Sequence, residues 1–191
     1  MNCLQSPFTE SAIRALRVGD LVRVRGLVFT GRDRLHQYLA EGGESPVDLH
    51  DAALYHCGPV VVPVAEGWRV MAAGPTTSIR EEPYMPTIIE KLGVRVIIGK
   101  GGMGAATLTA CQKFGCLYLQ AVGGAAALLA QCVKQVEKVY FLERFGATEA
   151  MWKLQVFDFD AVVGMDAHGG NLFKTVQNQS GEQLHRLQFN A

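Results

Sequence analysis

Val94-Arg95-Val96-Ile97-Ile98-Gly99-Lys100-Gly101-Gly102-Met103-Gly104 is the stretch that decides the fold. A β-branched apolar run ends in a cluster of glycines, and a helix-forming segment follows at once. The pattern predicts a strand at 94–98, a helix near 103–113, a strand at 115–120, a helix near 123–132 and a strand at 137–142. Strands alternating with helices in this way imply βαβ units and a parallel sheet.

Outward from that centre the chain turns β-rich. Residues 67–73 read as a strand that ends at a polar turn, Gly74-Pro75-Thr76-Thr77-Ser78-Ile79-Arg80. Residues 79–92 read as helical mainly in their later part, because Pro83 and Pro86 lack the donor a helix interior needs. Val60-Val61-Val62 follows a Gly58-Pro59 turn, and residues 52–56 form another apolar segment. Residues 21–29 begin with the apolar and basic alternation of a half-exposed strand, and Thr30-Gly31-Arg32-Asp33 opens a helix through Leu39. A helix start at Ser6-Pro7-Phe8-Thr9-Glu10 leads into a short amphipathic stretch, and strands at 151–158 and 161–165 precede a polar tail. The expectation is one α/β domain over residues 1–191, with a mixed sheet around a central βαβ portion.

Composition narrows the function classes. With 191 residues, 49% apolar and only 19% charged, the chain has material for one buried core and is not disordered. Eighteen basic residues balance eighteen acidic ones, so no global field favours nucleic acid or a membrane surface. Arg23, Arg25, Arg32 and Arg34 cluster, but without interleaved aromatics for base stacking. The first residues lack a basic region and an apolar core, so no signal peptide is expected. The run 117–133 is broken by Gln120, Gly123, Gly124 and Gln131, which is too interrupted to span a bilayer. A cytoplasmic protein is expected. Cys3, Cys57, Cys111, Cys116 and Cys132 include no CxxC pair, so the reading is reduced buried thiols and no metal site.

Gly99 to Gly104 matches GxGxxG, but a dinucleotide site needs an acidic residue some way downstream to hold the ribose. No Asp or Glu occurs between Glu90 and Glu137. A Walker A loop fails as well, since Val94 and Gly101 stand where a glycine and a hydroxyl residue belong. What remains is a turn whose backbone N–H groups and following helix N-terminus suit a small anion, or else a tight turn with Lys100 in solvent. Thr76, Thr77 and Ser78 are either ordinary turn residues or a reactive set. Arg80, Glu81 and Glu82 read as a solvated face, His56 as a core histidine, and His36 as a local partner of Asp33.

Taken together, the motifs resemble the β-subunit, or C-terminal domain, of class I fumarases and the related L-tartrate dehydratases. The matching segments run in family order: Thr30-Gly31-Arg32-Asp33 with His36, Tyr55 with Gly58-Pro59, and Gly74-Pro75-Thr76-Thr77-Ser78 with Arg80. Tyr84 with Pro86, Gly99-Lys100-Gly101-Gly102 and Glu149-Ala150-Met151-Trp152 complete the set. Glu81 after Arg80, and Arg34-Leu35 before His36, depart from the usual pattern.

The resemblance implies a swivelling β/β/α domain and a hydro-lyase acting on a C4 dicarboxylate, with fumarate and malate ahead of tartrate. It also implies half of an active site. A [4Fe–4S] cluster is expected on a partner α-subunit and none on this chain, within an α2β2 assembly. By position in the motifs, Thr76 is the expected base, Thr77 the second choice, and Lys100 a catalytic aid. Arg32, Arg80, Lys100, Ser78 and Gly101 are expected to bind the substrate, since guanidinium and ammonium groups suit separated carboxylates. The alternatives are a tartrate dehydratase β-subunit, a non-catalytic anion-binding or assembly module, and a self-contained enzyme using Cys57 or His56.

Overall fold

The two short strands at the centre, Ala53–His56 and Val96–Gly99, are buried at every residue. This is what a parallel sheet covered on both faces requires of its strands. The computed structural model describes residues 1–189, so the last two positions of the expected domain lie outside the described residues. In chain order the elements are β1 (Asn2–Gln5), α1 (Glu10–Arg14), β2 (Leu21–Gly31), α2 (Asp33–Ala40), β3 (Ala53–His56), β4 (Val60–Val64) and β5 (Gly67–Ala72). After a 3-10 turn at Ser78–Glu81 come α3 (Met85–Leu92), β6 (Val96–Gly99), α4 (Ala105–Phe114), β7 (Leu117–Gln120), α5 (Ala126–Gln131), β8 (Val133–Tyr140), α6 (Leu142–Phe145), β9 (Met151–Met165) and α7 (Leu172–Phe189).

The parallel run is β2, β3, β6, β7. The long strand β9 pairs antiparallel with β7, β8 and β2, so the path of pairing returns to β2. The mixed α/β class expected from the alternation is the class observed. Side chains of the parallel strands alternate between two cores. Tyr55, Val96, Ile98, Leu117 and Leu119 pack toward Trp152, Leu154 and Phe159 of β9 and toward the β4–β5 hairpin. Leu54, Ile97 and Tyr118 pack the other way, against Leu35, Ile88, Ile89 and Cys111 of α2, α3 and α4. The layers are therefore β, β and α, with Trp68 of the hairpin edge-on to Trp152 at 5.3 Å.

Several boundaries differ from expectation. The N-terminal residues form β1, parallel to β2, and the helix after them is only Glu10–Arg14, capped by the Thr9 hydroxyl. The two strands expected near the C-terminus are one strand of 15 residues. Asp158 and Asp160 look like turn residues, but they face Arg25 and Arg23 across the ladder at 2.6 and 2.7 Å. β8 starts at Val133 rather than 137, at the expense of α5, and the polar tail is the helix α7. Phe173, in the first turn of α7, packs edge-on to Tyr118 at 5.9 Å. Among the described residues no helix is long and apolar enough to cross a membrane.

Candidate functional site

The carboxyl ends of β2, β3, β6 and β7 lie side by side, the place where open parallel sheets gather ligands. The hydroxyl turn is stitched between two of them. Thr76 N–H donates to the His56 carbonyl at 2.7 Å, Lys100 N–H to the Thr76 carbonyl at 3.3 Å, and Ser78 N–H to the Lys100 carbonyl at 3.0 Å. Thr77 and Lys100 thus form a parallel bridge, and the two segments singled out in the sequence hold each other.

Arg32 enters from the end of β2 and Arg80 from the 3-10 turn. Arg80 Nη2 donates to Thr76 Oγ1 and to Asp33 Oδ2, both at 3.1 Å. The same carboxylate oxygen lies 3.8 Å from Arg32 Nη2. Arg32 Nε stands 3.5 Å from Glu149 Oε1, and the other oxygen of Glu149 accepts the Arg34 N–H at 3.0 Å. Gly58 makes this possible, because a Cβ there would lie 2.9 Å from Arg32 Cδ. Lys100 approaches from the other side, its stem passing Gly123, where a Cβ would sit 3.5 Å from Lys100 Cδ. Its ammonium has no hydrogen bond or ion pair among the described residues. Thr77, Arg80 and Gly101 are exposed, while Thr76, Arg32 and Lys100 are half-buried. On these adjoining segments Arg32, Arg80 and Lys100 outnumber Asp33 and Glu149, which leaves an excess of positive charge on an open face and suits a small dianion.

Two expected ligands are directed elsewhere. The glycine loop does not present open N–H groups: Gly101 N–H donates to Gln120 Oε1 at 3.0 Å and Gly102 N–H to the Tyr118 hydroxyl at 3.3 Å. Gly104 N–H donates to Glu82 Oε2 at 2.7 Å, and Glu82 also accepts the Thr107 N–H at 3.1 Å and the Thr107 hydroxyl at 2.6 Å. The positive end of α4 is therefore occupied by the chain's own carboxylate. Gly101 contributes room beside Lys100 rather than a donor. Ser78 is fully buried, its Oγ 2.9 Å from His56 Nδ1 and accepting the Tyr118 hydroxyl at 3.1 Å.

The expected solvated face also breaks up. Arg80 stays exposed, whereas Glu81 is fully buried with its Oε2 2.9 Å from His36 Nδ1. His36 pairs with Glu81, and Asp33 is drawn to the two arginines instead. Asp33, Glu149, Glu82, Gln120 and Tyr118 were not legible as site residues, since each acts across elements far apart in sequence.

His56 is a buried core histidine, as its apolar neighbours suggest, and burial lowers its pKa well below the usual value, with His36 adding to the effect. Cys57 is equally buried, which pushes its thiol up to about 12. Neither reaches the open face, so the reading of a self-contained enzyme using Cys57 or His56 is corrected. Cys111 and Cys116 are buried too, but Cys3 is exposed and Cys132 only partly covered, contrary to a uniformly buried set. Among the described residues no three His, Cys, Asp or Glu side chains gather in a way that could hold a metal ion. The five cysteines are scattered, and no three of them gather among the described residues.

A wide depression at the opposite, amino ends of the parallel strands is lined by Glu10, His50, Glu90, Arg95 and Lys113 among others. Two of its cations are matched, Arg95 with Asp51 at 2.9 Å and Lys113 with Glu90 at 3.6 Å, and Lys91 also lines it.

Residues 2–176 match the model of the family described as Fumarase C-terminus. A protein of Geobacillus stearothermophilus, named as a candidate fumarate hydratase class I, is 52% identical over 185 residues, covering 96% of this chain. The chain spans 36% of that relative's length. A Methanocaldococcus jannaschii protein, named as a candidate L(+)-tartrate dehydratase subunit beta, is 38% identical over 94% of each chain. The L(+)-tartrate dehydratase subunit beta of Escherichia coli K12 is 37% identical over 171 residues, 88% of this chain and 85% of that one.

Proposed function

The chain belongs to the Fumarase C-terminus family, and from that premise we propose that it is the β-type part of a hydro-lyase that interconverts fumarate and malate. The observation that carries this reading is that Arg80 reaches the Thr76 hydroxyl and shares Asp33 with Arg32, while the same turn is bridged through its backbone to Lys100, on an open face rather than in a closed cavity. Two carboxylates separated by two carbons need cations at separated points, and the guanidinium pair and the lone ammonium supply them. Dehydration also removes a carbon-bound proton. Thr76 is the base in this reading, its alkoxide stabilised by the Arg80 N–H that already reaches Oγ1 and by the nearby ammonium. Thr77, exposed beside it, is the second choice.

The rest of the site belongs to a partner. Exposed Ile79 and Val122 adjoin Arg80 and Gly123, an apolar rim that suits coverage by another surface. That partner is a cluster-bearing α-subunit, in an α2β2 assembly in the cytoplasm. Its [4Fe–4S] cluster would supply a Lewis acid for hydroxide departure, and no residue of this chain is assigned to it. A second reading, L-tartrate dehydration, rests on the names of the Methanocaldococcus and Escherichia relatives. Anaerobic co-expression with the α-subunit, followed by fumarate and tartrate turnover assays, separates the two. Thr76→Ala is expected to lower kcat by about a hundredfold or more, the scale of a lost general base. Turnover unchanged by Thr76→Ala, or none on either dicarboxylate by a cluster-loaded complex, would remove the reading.

A further inference from the structure

Beneath the open face lies a buried polar chain that the chemistry above does not use. Glu81 Oε2 is 2.9 Å from His36 Nδ1, and the His36 ring meets the His56 ring at 5.0 Å between centroids and 63° between planes. His56 Nδ1 is 2.9 Å from Ser78 Oγ, Ser78 Oγ accepts the Tyr118 hydroxyl at 3.1 Å, and that hydroxyl oxygen accepts the Gly102 N–H at 3.3 Å. Of the seven buried polar or charged residues among those described, His36, His56, Ser78 and Glu81 belong to this network, so polar burial is concentrated under the site.

Proton accounting gives the chain a direction. Tyr118 gives its proton to Ser78, so the Ser78 hydroxyl donates onward to His56 Nδ1. That nitrogen must then be bare, with the ring proton on Nε2. Burial keeps His56 neutral, as the accepting role demands. On the other side, His36 Nδ1–H donates to the Glu81 carboxylate.

Two glycines leave the space. A Cβ at Gly99, the last residue of β6, would lie 1.9 Å from Ser78 Oγ, 3.2 Å from the Tyr118 oxygen and 3.3 Å from His56 Nδ1. A Cβ at Gly31, the last residue of β2, would lie 2.5 Å from His36 Nε2. His36 Nε2, His56 Nε2 and Glu81 Oε1 have no hydrogen-bond partner among the described residues, an arrangement that costs stability and that an apolar core would avoid. The network ties the end of β3, β7 and the glycine loop that follows β6 to the turn Ser78–Glu81 and to α2.

We propose that Glu81, His36, His56, Ser78 and Tyr118 are positioning residues, a buried network that holds the hydroxyl turn and the glycine loop in register so that Thr76 and Lys100 face the same open surface. This inference rests on the proposed hydro-lyase reading for its catalytic consequence, though not for its geometry. Ser78 is thereby assigned to positioning rather than to the substrate.

The test uses Ser78→Ala, Tyr118→Phe and the double variant. Tyr118→Phe keeps the ring against Phe173 and removes only the hydroxyl. In the full-length chain, alone and assembled, amide hydrogen exchange at 74–80 and 99–104 should speed up about tenfold in each single variant. In the assembled enzyme, kcat should fall about tenfold or more with KM changed by less than about threefold, since substrate-facing cations are untouched. The double variant should cost no more than the worse single one, because both act through one network. Unchanged exchange in both singles overturns the network. Faster exchange with full kcat in an active complex, or strictly additive losses, overturns the positioning role. If the wild-type complex turns over neither fumarate nor tartrate, the functional reading fails, and the exchange data still decide the network.

Discussion

Arg80 donates from a single nitrogen, Nη2, both to the Thr76 hydroxyl and to the Asp33 carboxylate, at 3.1 Å in each case. One guanidinium therefore couples the hydroxyl turn to the start of α2. Asp33 fixes the arginine and lies 3.8 Å from Arg32, so a carboxylate of the same sign as the proposed substrate organises the groups proposed to bind it. Arg80→Lys keeps the charge and loses the planar fork. We expect kcat to fall about a hundredfold in the assembled enzyme, the scale of one lost preorganised donor. Asp33→Asn should act mainly on KM, by loosening both guanidiniums. Steady-state kinetics on fumarate and malate check both, and a rise in KM alone for Arg80→Lys would place Arg80 in binding and not in catalysis.

Lys100 presents the site's unpaired charge. A charge-assisted hydrogen bond of this kind is worth about 1.5–3 kcal/mol, or about 10- to 150-fold in kcat/KM. Lys100→Ala should lose that much, and the remaining activity should depend less on salt than the wild type does. Assays across an ionic-strength series give the answer. An unaltered salt dependence together with unaltered kcat/KM would leave Lys100 as a solvated side chain at a tight turn.

The parallel centre was legible because a strand buried on both faces appears as an apolar β-branched run, as in Val96-Ile97-Ile98. β1 was not, since only Leu4 of its four residues is buried. α7 was not, since beyond Leu172 and Phe173 its described side chains are exposed and no apolar stripe betrays the helix. The single strand β9 was concealed by Asp158 and Asp160, whose partners Arg23 and Arg25 lie on β2. In the site, Thr76, Arg80 and Lys100 could be picked out by their turns. The inward aim of Ser78 and Glu81 could not, because it depends on room left by Gly99 and Gly31 on other strands.

Glu82 satisfies three donors at the start of α4. Such a cap is worth about 0.5–2 kcal/mol, and a carboxylate near the positive helix end adds to it. Glu82→Ala should lower the unfolding free energy by about 1–2 kcal/mol on that basis. Urea unfolding monitored by circular dichroism measures it, and a change near zero would mean that water replaces the carboxylate without loss.

His56 gives stability a pH dependence of definite sign. Its folded-state pKa is lowered, chiefly by burial, so the unfolded chain binds a proton more readily than the folded one. Stability from this group is fully present above the unfolded value of about 6.5 and is lost as pH falls below it, at up to about 1.4 kcal/mol per pH unit. Asp160 and Glu10, whose pKa values are lowered mainly by hydrogen bonds to Arg23 and Arg14, add their own losses only at lower pH, near the carboxylate range. The window between about pH 6.5 and pH 5 therefore lies above the range of these two carboxylates. In that window Tm should fall with pH in the wild type, and His56→Asn should flatten the slope even if it lowers Tm throughout. An equal slope in both proteins would mean that His56 is not the group that resists protonation, and the neutral ring required by the Ser78 donor would have to be abandoned with it.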